Sequence, residues 1–234
     1  MAKEVIVKAD TIKNRKKRVK NIKIVISVLF ILLAFLFVLL SLIYKGGRFT
    51  VTLDKRFAMD NNIVLYEDKE FKEAKRKLSA RELEFMDNIS INWIPSDIDS
   101  YNGSHNGENY IAYTFYIENE GDQTVNYWYS VIIDDVVKNV DEASRVMIYF
   151  NGNKSVYAKV NSYTKEPEKD TLPFFNDSTA VLEQRKDFKP GDIDKFTVVI
   201  WLEGDDEDCT DNILGGEIKM HMEIREEYKD EESK

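Results

Sequence analysis

The sequence predicts a mainly β protein: an antiparallel β-sandwich with a helical insertion, preceded by one transmembrane α-helix. Three observations predict it. Residues 24–44 form an unbroken apolar run without a formal charge. Short apolar segments with strand periodicity recur from residue 110 onward, separated by turn residues. No helical pattern alternates with those strands after residue 90, which excludes a βαβ layout.

The run from Ile24 to Tyr44 has 21 residues, with Ser27 and Ser41 its only clearly polar members. At ~1.5 Å per residue a helix of that length spans ~30 Å, the thickness of a bilayer's hydrocarbon core. A soluble core helix rarely stays apolar on every face for so long. A cleavable signal peptide has a shorter apolar region ending in an A-x-A site. Here the run ends Leu42-Ile43-Tyr44-Lys45-Gly46-Gly47, so an uncleaved signal anchor is expected.

Charge sets the expected topology. The chain of 234 residues carries a net charge of −9, but residues 1–23 hold nine basic and two acidic side chains, leaving −16 after the apolar run. Short basic flanks stay cytoplasmic. The reading is a basic cytoplasmic tail over 1–23, a membrane helix over 24–44, a joint over 45–48, an extracellular domain over 49–225 and a charged tail over 226–234. Arg15-Lys16-Lys17-Arg18 also suits anionic lipid headgroups. Within the helix, Ser27, Ala34 and Ser41 recur every seven residues and so lie near one stripe. Such a stripe either packs against a second helix, from another copy or from a partner, or faces lipid.

In the outer domain, Phe49 to Leu53 alternates as a strand, and Ile63 to Tyr66 is a second short apolar run. Over residues 68–86, Phe71, Ala74 and Leu78 have helical spacing, and Ser79-x-x-Glu82 has the form of a capping box. One or two surface helices are expected there. Residues 88–109 read as loop. Tyr110 to Glu118 is apolar on both faces, as in a buried strand. Glu120-Gly121-Asp122 turns the chain into Tyr127 to Asp134. Val146 to Phe150 and Ser155 to Val160 are joined through Asn151-Gly152, a strong hairpin signal. Phe196 to Leu202 follows the Pro190-Gly191 turn, and Ile218, Met220, Met222 and Ile224 alternate with polar residues. About eight to ten strands follow from this pattern.

No catalytic constellation stands out. The chain has two histidines, His105 and His221, and a single cysteine, Cys209. A nucleophile needs a base beside it, and the histidines fall in a Gly/Asn loop and on the polar face of a strand. One cysteine forms no intrachain disulfide. The excess of acid, with no basic face, speaks against nucleic acid. The run Glu203-Gly204-Asp205-Asp206-Glu207-Asp208-Cys209-Thr210-Asp211-Asn212 concentrates carboxylates. Calcium, which takes six to eight oxygen ligands, is a candidate ligand at Asp205, Asp206, Asp208 and Asp211. The run also reads as a solvated acidic turn between two strands.

Two stretches carry a resemblance. Asp192-Ile193-Asp194-Lys195-Phe196-Thr197-Val198-Val199-Ile200-Trp201-Leu202-Glu203-Gly204-Asp205-Asp206, with Leu214-Gly215-Gly216-Glu217-Ile218, resembles the C-terminal strands of the camelysin/TasA-like surface proteins of Gram-positive bacteria. Tyr110 to Gly121, ending Asn119-Glu120-Gly121, resembles their strand-and-turn segment. The resemblance implies a jelly-roll-like or Ig-like sandwich, secretion, and roles in extracellular fibres or matrix. Some members are credited with metalloprotease activity. This chain departs from that pattern in its long anchor and in offering no recognisable zinc ligands. The expected function is therefore a non-catalytic surface module that binds membrane lipid through its anchor and a surface or envelope protein, wall polymer or matrix component through its domain. An accessory subunit of an envelope transport or secretion machine and a membrane-tethered hydrolase are the alternatives.

Overall fold

The helix α1 runs from Ala9 to Ile43 without a break. It therefore takes in much of the basic segment as well as the apolar run, because Lys and Arg are good helix formers that continue the turn. The computed structural model describes residues 9–43, 49–83 and 85–227. The expected joint at 45–48 and most of the expected C-terminal tail lie outside the described residues. So do Tyr44 and the Ser41 side chain. From residue 15 to residue 39 every side chain of α1 is exposed, including Phe30 and Phe37 at 73% each. The helix is long and apolar enough to cross a membrane. Ser27 and Ala34 are among its exposed residues.

The second compact unit holds the strands. In chain order they are β1 (Thr50–Leu53), β2 (Ile63–Tyr66), β3 (Lys77–Ser79), β4 (Asn88–Ile89), β5 (Gly103–Ser104), β6 (Tyr110–Asn119), β7 (Val125–Val137), β8 (Ser144–Phe150), β9 (Asn153–Ala158), β10 (Leu172–Pro173), β11 (Thr179–Phe188), β12 (Ile193–Glu203) and β13 (Glu217–Glu226). One sheet has the order β11-β7-β13-β1-β3. The other has the order β10-β9-β8-β12-β6-β2, with β4 beside β12 and β5 beside β6. The two sheets pack as a sandwich. The long strands pair antiparallel, as expected. Three pairings are parallel: β1 with β13, β10 with β9, and β4 with β12. Alternation along a strand reveals its two faces and not the direction of its neighbour, so these pairings left no signal.

The inner faces form the main core. Phe196 of β12 sits at its centre, with ring centroids 5.1 Å from Phe115, 5.0 Å from Tyr129 and 4.9 Å from Phe150. On β13, Met220, Met222 and Ile224 are buried, in the alternation read from the sequence. The hairpin between β8 and β9 turns at Asn151 and Gly152, both with positive φ, as a two-residue turn of this type requires. Sequence reading failed over residues 68–86. No helix forms there among the described residues. Leu78 points into the core from β3, opposite Val51, while Phe71 packs edge-on against Tyr66 and Tyr116. The helical spacing thus served two separate packing sites, and Ser79 is a strand residue rather than a cap. The short helix of this domain is α2 (Lys55–Asp60), whose start is capped by Asp54 through bonds from the Arg56 and Phe57 amides at 2.9 and 3.0 Å.

Buried polar groups join the two sheets at one end. Asp194 of β12 is 2% exposed. It accepts hydrogen bonds from Tyr127 of β7 at 2.7 Å, Arg185 of β11 at 3.1 Å and Asn151 of the hairpin at 2.7 Å. Burial first, and the Asp194 carboxylate second, hold the Tyr127 hydroxyl well above its ordinary pKa, so it remains a donor. Beside it, fully buried Asn119 donates to the carbonyls of Gln123 and Phe188, both at 2.9 Å, and accepts from the Gly121 amide at 3.0 Å. Gly121 has no room for a side chain: a Cβ there would lie 2.2 Å from the Asn61 carbonyl oxygen.

Asp194→Ala strips three donors of a shared buried acceptor and should cost ~3–5 kcal/mol of stability. Tyr127→Phe removes one bond and should cost ~1 kcal/mol. Urea unfolding of the purified chain measures both. Equal losses from the two changes would mean that Asp194 does not clamp the sheets.

Candidate interaction surface

Trp201 fixes the outer face of the eight-stranded sheet. It is fully buried there with Met147, Val156, Val199 and Ala112, forming a second core beneath the segment 88–104. Ile89 and Ile98 of that segment close the core from above. Glu203 anchors the segment. Its carboxylate accepts from the Trp201 indole at 3.0 Å and from the Ile91 amide at 3.1 Å. Farther along, Asp99 accepts from Thr197 at 2.6 Å and pairs with Lys195 at 2.8 Å.

Next to this covered patch the sheet opens into a groove of about 960 Å³. Its floor includes Met147, Tyr149 and Val156. One wall is the segment 91–96 and the other is 168–171, with Lys154, Lys169, Asp170 and Asp205 along the edges. The groove mixes aromatic, amide and hydroxyl groups with charges of both signs. Such a lining suits a polar extended ligand better than a compact apolar one.

The acidic run meets the groove at its floor. The structure separates the four expected calcium ligands: Asp206 and Asp208 are buried, whereas Asp205 and Asp211 are exposed. The buried pair is joined by Glu168, one ligand oxygen from each of the three lying within 4.8 Å of the others. The positive charge among them is Arg145, 4% exposed, which hydrogen-bonds Asp206 and lies 3.9 Å from Glu168. The second Asp206 oxygen accepts from the Asp208 amide at 2.7 Å, and Asp208 accepts from the Ser162 amide at 2.9 Å and from its hydroxyl. The three carboxylates bring ligand oxygens close together, with the Arg145 guanidinium beside two of them. Glu168 and Arg145 carried no local signal, since each comes from a segment about forty to sixty residues away in the chain.

The two histidines lie apart from this cluster. His105 contacts the Gly103 carbonyl oxygen through Nδ1 at 2.9 Å and stacks on Tyr101. His221 pairs with Asp134 through Nδ1 at 2.8 Å. Neither of these partners is a hydroxyl or thiol nucleophile. Burial pushes the His105 pKa below its ordinary value, against the pull of the Gly103 carbonyl.

Fold and groove together define a β-sandwich domain with one N-terminal apolar helix. The chain matches no known protein family and no curated protein. Among solved structures it is similar to a β-glucosidase from Kluyveromyces marxianus in complex with glucose, at 11% identity and a TM-score of 0.26. That match covers 73% of this chain and 16% of the other, and a likeness so weak carries no argument.

Two outcomes follow from these contacts. Millimolar calcium should leave the melting temperature of the purified chain unchanged, because Arg145 already pairs with Asp206 and lies beside Glu168; a rise that disappears in Asp206→Asn and Asp208→Asn would make calcium the ligand. A lowered His105 pKa means that the unfolded chain takes up a proton near pH 6.5 before the folded one does. Stability should therefore fall as pH drops from about 7 to 5, and His105→Gln should flatten that slope in thermal melts. An unchanged slope would remove His105 as its source.

Proposed function

We propose that this chain is a membrane-anchored, non-catalytic module of the cell surface. α1 holds it in the bilayer with the basic end in the cytoplasm, and the sandwich stands outside and binds an envelope component along the groove of the eight-stranded sheet. The observation that carries this reading is α1 itself: an exposed, uncharged stretch of membrane length between a basic segment and an acidic domain. The positive flank sets the inner side.

The groove supports the binding part. A pocket of this size, with Tyr149 among its lining residues, provides an aromatic anchor of the kind that dominates interfaces. The histidine contacts support a non-catalytic reading, since the Nδ1 partners of His105 and His221 are a backbone carbonyl and a carboxylate rather than a nucleophile. The resemblance to the camelysin/TasA-like proteins supports the surface setting and Gram-positive affinity. The residues that carry it fall on β6, β12 and the Asn119–Gly121 turn, which are framework rather than binding surface.

Protease added to intact wall-stripped cells should remove the chain from about residue 48 onward and leave the segment 1–44 protected. Protection of the domain would reverse the topology. In a sedimentation assay with isolated cell-envelope material, Tyr149→Ala with Lys154→Ala should weaken binding by about tenfold or more. Glu223→Ala, on the other sheet, should change nothing. Equal binding by all three proteins would remove the groove from the account.

A further inference from the structure

The basic segment and the apolar run belong to one unbroken helix. α1 carries Arg15, Lys16, Lys17, Arg18, Lys20 and Lys23 on the same rod as residues 24–43. All of these cations are exposed, and no Asp or Glu lies between Arg15 and Ile43. Asp10 and Lys13, nearer the start of the helix, cancel in formal charge.

The helix fixes where each cation stands. It turns ~100° and rises ~1.5 Å per residue. Arg15, Lys16, Lys17 and Arg18 therefore point in four directions ~100° apart, and Lys20 and Lys23 fall between them. The charges form a collar around the axis rather than a stripe along it. Measured from Ile24, the collar begins at ~1.5 Å, at Lys23, and ends at ~13 Å, at Arg15. The headgroup layer on each side of the hydrocarbon core is ~5–8 Å deep. Long basic side chains lean toward polar surroundings while their stems lie on apolar surface, and charge is felt over a further ~8 Å at physiological salt. The whole collar thus meets the headgroups or the ionic layer directly above them.

A ligand that answers cations on every side must itself surround the helix. A protein groove or a nucleic-acid strand lies along one side and leaves the opposite charges unmatched. Headgroups surround any membrane helix, and those with a net negative charge complement the collar. We propose that the basic end of α1 is a binding site for a shell of anionic phospholipids. This inference rests on the membrane-anchor reading above and goes beyond it: orientation needs the charges only on one side, whereas a collar selects its lipids.

The test reconstitutes the full chain in phosphatidylcholine vesicles with traces of spin-labelled phosphatidylcholine or spin-labelled phosphatidylglycerol. Electron spin resonance separates lipid held at the protein from lipid in the free bilayer. Both labels reach both leaflets, so the direction of insertion does not matter. Each lipid should show a held fraction, with phosphatidylglycerol preferred by about threefold or more. At about 1 M salt the screening length falls to ~3 Å, and the preference should fade. A variant with Arg15, Lys16, Lys17, Arg18, Lys20 and Lys23 each changed to Gln, a comparable helix former, should keep the held phosphatidylcholine and lose the preference. Held lipid of both kinds without preference would overturn the inference and leave the anchor standing. A preference that survives the six changes, or that salt leaves undiminished, would overturn the collar as its source. No held fraction for either lipid would overturn the anchor reading, and the inference with it.

Discussion

A carboxylate shut between two sheets must be neutralised where it stands, and Asp194 meets that demand with donors from both layers. Tyr127 and Arg185 reach it from the five-stranded sheet, and Asn151 from the eight-stranded one. The desolvation cost of such a group exceeds the worth of any one of these bonds. It is offset only when all of them form together, which happens in a single register of β7, β11 and β12. Asn119 adds a second polar contact at the same end, spanning from β6 to the Phe188 carbonyl. Apolar packing around Phe196 holds the layers together without specifying their alignment; the polar end specifies it.

At the opposite end a cavity of about 390 Å³ opens, with Phe49, Ile200 and Met220 among its walls. The outer face of the eight-stranded sheet is treated differently again. Part of it is closed by the segment 88–104 over Trp201, and part is left open as the groove. Glu203 decides where the cover lies, because one carboxylate binds both the Trp201 indole and the Ile91 amide. Arg145 sets the floor beside it. The groove is thus bordered by two buried charged groups, Glu203 and Arg145.

Strands with alternating or two-sided apolar residues were legible in the sequence: β6, β12, β13 and the β8–β9 hairpin all fall where their residue patterns put them. β11 was not. Its middle, Glu183-Gln184-Arg185-Lys186-Asp187, is polar, and as an edge strand it needs few buried side chains, so it lacks a period. α2 is too short to show one. Over 68–86 a true helical spacing misled, since Phe71 and Leu78 are drawn to different surfaces. The acidic run was legible as an accumulation of charge. Its partners were not, because Arg145, Ser162 and Glu168 arrive through the fold. Local counting of carboxylates does not reveal a guanidinium that is distant in the chain.

If the Asp194 clamp and the Phe196 core make the two sheets one cooperative unit, the sheets must open together. Native-state hydrogen exchange on the full chain, followed at increasing denaturant, tests this most directly. The most protected amides of β7 and β12 should share one opening free energy and one denaturant dependence, that of global unfolding. A separate opening of the five-stranded sheet, at lower free energy and with a smaller denaturant dependence, would contradict the account.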